Sequence, residues 1–285
     1  AASVEIFMGG AVVSACTSDT TGWFSSDVAL APGENRISVK SADPAGNISK
    51  LSPEAVVVYS EPPPEVAGFA GSAVSNGCEL SWDAAAVEDL AGYLVYRDGE
   101  KRSQPRVITS GSASASDNTE KAGYAFNDPE GYWTGYFPEE LPDVLWWQLD
   151  LPESELISHL EIHWLSHDGR AKDFAVEVWT GYCWLPYVQV SDNTNYINQF
   201  DFSPPYPTDK IRISISSSIG GESVRISDVW VHRENIIEKT SFADTELPDG
   251  EYAYQVSAVD QYGFQGPLSE IATVVIGDIA APGPP

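Results

Sequence analysis

Three histidines at four-residue intervals, His159, His163 and His167, are the first residues in this sequence whose spacing suggests chemistry. On one face of a helix such imidazoles could share a zinc ion. Their neighbours in "LEIHWL" are β-branched and aromatic, however, and the local pattern is that of a strand. Residues four apart on a strand are about 13 Å apart, whereas zinc–nitrogen bonds are about 2 Å long. The spacing therefore argues against zinc. "HDGRAKD" holds carboxylates and a base but has no Ser-His-Asp order, nucleophile elbow or glycine-rich phosphate loop. The pair Glu139-Glu140 imitates a glycosidase dyad, yet neighbours on a strand point apart, and with 42 acidic residues such pairs arise by chance. The chain reads as a non-enzyme.

The 42 acidic residues face only 15 basic ones, giving a net charge of −27 that repels phosphate backbones and anionic lipid. Nucleic acid and membrane are thus poor partners, and neither nucleic-acid binding nor membrane insertion is expected. The acid is dispersed, as a solubilising charge on exported bacterial-type proteins would be; divalent-cation binding is the sharper alternative. Cys16, Cys78 and Cys183 fall in three different proposed modules and are expected to be free thiols. No apolar run reaches the roughly 18 to 20 residues that span a bilayer, and no signal peptide opens the chain. The abrupt strand-like start and the proline-rich "DIAAPGPP" end are those of a fragment of a longer protein.

The elements that must position any site are strands, and the fold class is all-β. "RISVKS", "FAVEVW" and "IRISIS" alternate apolar with polar, and Asp98-Gly99, Asp168-Gly169 and Asp249-Gly250 supply turns. No amphipathic helix is expected, and "ESELISHLEI" reads as a turn leading into a strand. One sandwich is interrupted. Its first half, "ELSWDAAAVEDLAGYLVYRDGE", puts Leu80 and Trp82 on one face and Tyr93 and Val95 on another; its second half carries Tyr252, Tyr254, Val256 and Ala258 opposite Ala253, Gln255 and Ser257. Neither half buries a core alone, so the stretch between them is a separate domain set into a loop, where a long insertion costs little closure entropy. The organisation expected is three β-sandwich modules: 1–60, then 61–104 with 234–278, with 105–233 inserted, and 279–285 as a linker to a further module. In the first module Val4, Ile6 and Met8 share a face, Gly9-Gly10 turns, and Ile37 and Val39 point inward.

"SVEIFMGG", "WFSSDVALAPGENRISVKSADPAGNIS" and "EAVVVY" resemble bacterial Ig-like repeats, which carry about two further strands ahead of this point. Truncation, or a strand donated by another chain, would account for the difference. Trp82 after Asn76-Gly77, Tyr93 in "GYLVYRDG" and the tyrosines of "LPDGEYAYQV" resemble fibronectin type III domains of bacterial surface proteins and polysaccharide-degrading enzymes. In the insertion, the order Ala122 to Trp133, Trp147 to Leu151, Leu160 to Trp164, Phe174 to Trp184, Lys210 to Ile215 and Ile226 to Val231 resembles the discoidin, or coagulation-factor C-type, jelly roll, which includes many carbohydrate-binding modules.

That last resemblance implies two sites. A structural Ca²⁺ would be held by the loop after the first strand and an acid on the last, here Asn127, Asp128, Glu130 and Asp228. Asp228 stands where the family has glutamate, and Asp128-Pro129 where it has Asp-Gly. A glycan site would lie among loops at one end of the sandwich, with Tyr132, Tyr136, Phe137 and Tyr182 stacking on sugar and His167, Asp168 and Arg170 binding hydroxyls. Trp133, Trp147 and Trp184 match family positions that pack the core. The function implied is non-catalytic binding of a polysaccharide or glycan, extracellular or at a bacterial cell surface, with affinity in the millimolar to micromolar range, roughly 4 to 8 kcal/mol. The competing reading is a structural subunit of a surface filament, sheath or array, pairing with neighbouring copies of itself; an adhesin would use the same loops.

Overall fold

The computed structural model describes residues 1–126, 128, 131–137 and 144–277. The linker expected at 279–285 and the pair Glu139-Glu140 lie outside them. Strands dominate, and among the described residues the one helical element is a short 3₁₀ turn, Thr119–Ala125. The chain divides into two compact units, Ala1–Glu61 and Pro62–Pro285.

The first unit is one antiparallel sheet in the order β2-β1-β3-β4, from Ser3–Met8 (β1), Ala11–Thr17 (β2), Gly33–Ala42 (β3) and Ala55–Tyr59 (β4). Val4 and Ile6 are buried on one face and Met8 is half-buried beside them. Ile37 and Val39 are only half-buried; the buried side chains of β3 are Asn35 and Ser38, against expectation. Asn35 explains its position by its bonds, accepting from the Ala31 N–H and donating to the carbonyls of Ala31 and Gly33, so that an amide pins the turn into the strand.

The second unit begins with Ala70–Val74 (β5), Gly77–Ser81 (β6), Leu90–Arg97 (β7) and Glu100–Lys101 (β8). After the insertion come Ser241–Thr245 (β17), Gly250–Asp260 (β18) and Ala272–Ile276 (β19). These strands form two sheets, β17-β6-β5 and β19-β18-β7-β8, so each sheet draws strands from both sides of the insertion. Between them lie Leu80, Trp82, Tyr93, Val95, Tyr254 and Val256, with Trp82 and Tyr93 edge to face at 5.3 Å. The buried Tyr254 hydroxyl donates to Asp244 at 3.0 Å, and Arg97 closes the network on the same carboxylate at 2.8 Å. Burial above all, with the Asp244 charge beside it, pushes the Tyr254 phenol far up.

The inserted sandwich is built from Arg106–Val107 (β9), Ser112–Ala115 (β10), Trp133–Tyr136 (β11), Leu145–Trp164 (β12), Ala171–Trp179 (β13), Trp184–Val190 (β14), Ile197–Ser218 (β15) and Ser223–Arg233 (β16). They pair in the order β11-β16-β12-β15-β13-β14, with β10 on β12 and β9 on β16. Two long strands make it two-layered. β12 and β15 pair along their whole length, but their other neighbours change midway: the first half of β12 pairs with β10 and the second half of β15 with β13, whereas the second half of β12 pairs with β16. No turn separates "ESELISHLEI" from what precedes it; β12 runs on through register shifts between Asp150 and Glu155 and between Ile157 and His159. Inward parity changes there. Leu145, Trp147 and Leu149 face the core before the shift and Leu160, Ile162 and Trp164 after it, as an added residue in one strand requires. Trp133 and Trp147 are fully buried, their indole N–H groups donating to the carbonyls of Asp117 and Ala122. Trp184 departs from expectation: it is half-buried on the outer face, with the Arg212 guanidinium 3.9 Å above its ring. All three cysteines are free.

Candidate functional site

The direction of each strand decides which loops meet. β12 ends at Trp164 and β13 begins at Ala171, so the loop between them caps one end of the sandwich. The β15–β16 hairpin is bonded to it, because the Ile219 N–H donates to the Arg170 carbonyl, Gly220 to Asp168 and Arg225 to Gly169. The end of β11 joins the same group through the Phe137 N–H and the Glu222 carbonyl. Tyr136, His167, Asp168 and Arg170 therefore gather at one end.

Tyr136 is 55% exposed, and Asp117 fixes the backbone behind it by accepting from the Tyr136 N–H at 2.9 Å. His167 is exposed and its Nδ1 lies 3.0 Å from the Asp168 carboxylate, also exposed. Phe137 is partly buried against the core, so its ring is chiefly a packing group. Tyr182 sits in the β13–β14 hairpin, which by the run of β13 is at the opposite end. Tyr132 is exposed but precedes β11, about 13 Å of strand from Tyr136. Both leave the set proposed from sequence.

Arg170, read from sequence as a hydroxyl-binding loop residue, is buried. It is 4% exposed, its Nε is buried without a hydrogen-bond partner, and it has no ion pair among the described residues. Its guanidinium lies 4.9 Å above the ring of Tyr196, which is itself 52% exposed. Buried amides on either side of Tyr196 in sequence hold its segment: the Trp164 indole donates to Asn198 at 2.7 Å, Asn198 to Asn193 at 3.1 Å, and Asn193 to the Ala171 carbonyl at 3.1 Å. Tyr196, Asn193 and Asn198 were not singled out from sequence, although "SDNTNYINQ" carries the asparagine density of a structured turn. The arrangement offers a cation with unused donors under an aromatic lid, beside an exposed His–Asp pair. Such a site can bind hydroxyl or carboxylate oxygens and stack on a ring.

Of the expected calcium ligands, Asn127 and Glu130 lie outside the described residues. Asp228 is two residues along β16 from the Trp133–Ile226 pair, beside the approach to β11. One of its oxygens accepts from the Trp230 indole, while Oδ1 is buried without a partner. Among the described residues no three His, Cys, Asp or Glu side chains converge to hold a metal ion. The histidine ladder resolves otherwise. His159 and His163 each reach the carboxylate of Glu161 between them, at 3.3 and 3.1 Å.

No curated protein matches the chain. Among solved structures, the family 32 CBM from C. perfringens NanJ in complex with galactose is 14% identical and covers 46% of this chain and 100% of its own, with a TM-score of 0.40. The F5/8 type C domain of a Bacteroides fragilis protein is 12% identical, covers 46% and 98%, and has a TM-score of 0.38. Residues 108–229, within the inserted sandwich, match the F5/8 type C domain.

Proposed function

We propose that the chain is a non-catalytic segment of an extracellular, multimodular protein in which the inserted sandwich binds carbohydrate. The observation that carries the reading is Arg170, a buried cation with an unpartnered Nε beneath the exposed ring of Tyr196. A guanidinium removed from water and lacking a carboxylate is costly to keep unless its donors serve a ligand. The F5/8 type C match supports it. The strands on either side then form a split fibronectin type III scaffold, for which the three- and four-stranded sheets speak, and the first unit is an Ig-like module. The same reading gives the approach to β11 a structural Ca²⁺, bound with Asp228, whose buried Oδ1 is available.

The test is a glycan array probed with the full chain, with and without calcium, alongside Tyr196→Ala and Arg170→Lys. Saturable binding that weakens about tenfold or more in either variant is expected, since a good charged hydrogen bond or stacking ring carries roughly 1.4 kcal/mol or more. Binding indifferent to both changes refutes the site. A second reading, a self-assembling surface subunit, has one observation in its favour: β2 is an edge strand that exposes Val12 and Val13. Concentration-dependent oligomers in sedimentation, abolished by Val13→Lys, would establish it.

A further inference from the structure

Where the inserted sandwich meets the scaffold there is a cavity of about 540 Å³, lined by residues of both. Its polar floor is the outward face of three neighbouring strands: His159 and Glu161 from β12, Asp201 from β15 and His232 from β16. Leu94 and Val259 of the scaffold and Phe202 and Pro205 of the insertion supply apolar walls. The contact beside it is close. A Cβ on Gly263, whose φ is +87°, would lie 2.0 Å from the Pro205 carbonyl oxygen, so only glycine lets the two backbones approach this far.

The charges lining this space do not balance. Lys101 is committed to Glu234, at 2.8 Å, with the glutamate almost wholly buried. Glu161 and Asp201 pair with no lysine or arginine among the described residues; His159 lies between them, 2.7 Å from Asp201 and 3.3 Å from Glu161. Burial pushes the Glu161 carboxyl up, but hydrogen bonds from His163, Gln199 and His159 outweigh it and hold the group below its ordinary range. His232, edge to face with His159 at 5.2 Å, is held down by burial and by His159 against the pull of Glu161, and its Nδ1 is sealed without a partner. The floor thus keeps negative charge, and no lysine or arginine among the described residues answers it.

We propose that this cavity is a second ligand site, specific for a small protonated primary amine. An ammonium group brings the positive charge the floor lacks and three N–H donors for the Glu161 and Asp201 oxygens. Its carbon body would lie against the apolar walls, as lysine stems do on protein surfaces. Volume and position fit, since small-molecule sites measure about 300–1,000 Å³ and favour interfaces between domains. The site is separate from the loop end, because His159 and Trp164 stand five residues apart along β12, about 16 Å of strand. An amino sugar and an aliphatic polyamine share the required chemistry.

Titration calorimetry on the full chain tests it, with D-glucosamine and putrescine as probes in neutral buffer and N-acetyl-D-glucosamine as the uncharged control. Saturable binding of at least one amine is expected, with the acetylated sugar and the Glu161→Gln chain each weaker by roughly tenfold or more. Glucosamine binding with putrescine silent assigns the site to amino sugars, and the reverse assigns it to polyamines. Equal affinity for glucosamine and its acetyl form overturns the proposal, as does full affinity in Glu161→Gln or no saturable binding of either amine. Should Glu161→Gln fail to fold, Asp201→Asn replaces it, because that carboxylate is 86% exposed and its loss should weaken amine binding several-fold without disturbing the core.

Discussion

The inserted sandwich and the scaffold around it bury their strands by different rules. In β13, Phe174, Val176 and Val178 face the core and the residues between them are only half-buried. In β7, four consecutive residues from Gly92 to Val95 are buried. The insertion satisfies each strand on one face, whereas β7 has its own core on one side and, through Leu94, the cavity shared with the insertion on the other. The insertion's interior is therefore a largely apolar, self-contained core, while the seam between the two carries charge: Lys101 with Glu234, and His159, Glu161 and His232 across the cavity. A core that closes on itself can be replaced or moved as a block; a seam ties two blocks together.

Trp147→Ala should have the largest effect. Losing a fully buried indole that also donates to the Ala122 carbonyl should cost about 3–5 kcal/mol. In urea unfolding followed by fluorescence and near-ultraviolet dichroism, the loss is expected in the insertion's transition alone. If the scaffold's transition moves equally, the two are one cooperative block and the contrast fails. Lys101→Met probes the seam, because it leaves Glu234 buried and uncompensated. A cost of roughly 3 kcal/mol is expected, most of it recovered by Lys101→Met with Glu234→Leu. A double variant no better than the single one would show that packing, and not charge, holds this point.

The smallest effect is one of pH. His232 is held below its ordinary value in the folded protein, so the native state binds fewer protons than the unfolded one as acidity rises. Stability should be complete above the ordinary value of 6.5 and decline as pH falls through it toward the lowered folded value. His232→Gln should flatten that slope in thermal melts; an unchanged slope would place the titration elsewhere.

Much of this was legible from alternation. "FAVEVW" is β13 and "IRISIS" the second half of β15, and their inward residues are those the period of two selects. Trp133 and Trp147 were read as core and are so. The misreadings have physical causes. Tyr182 was grouped with His167 because both lie in loops, but the end of a sandwich to which a loop belongs depends on strand direction, which no local pattern records. Arg170 was read as a loop residue binding hydroxyls from the family position it matches; it is buried against Tyr196, whose segment is held by an Asn193–Asn198–Trp164 network that only the fold assembles. Trp184 was taken for core from the family position it matches; the hairpin's inward parity is set instead by register, which shifts between Val176 and Glu177.

The insertion leaves the scaffold after β8 and returns at once to it, the Tyr93 and Ile237 backbones bonding each other in both directions. Its two attachment points are thus close together, on strands in the middle of the scaffold's sequence. Tension applied along the chain enters the scaffold at β5 and leaves at β19, strands that pair with β6 and β18 and not with the insertion. A mechanical load would have to unzip the scaffold before stretching the inserted sandwich. In a protein under shear, the insertion would hang outside the force path with its loops undeformed while its support bore the pull.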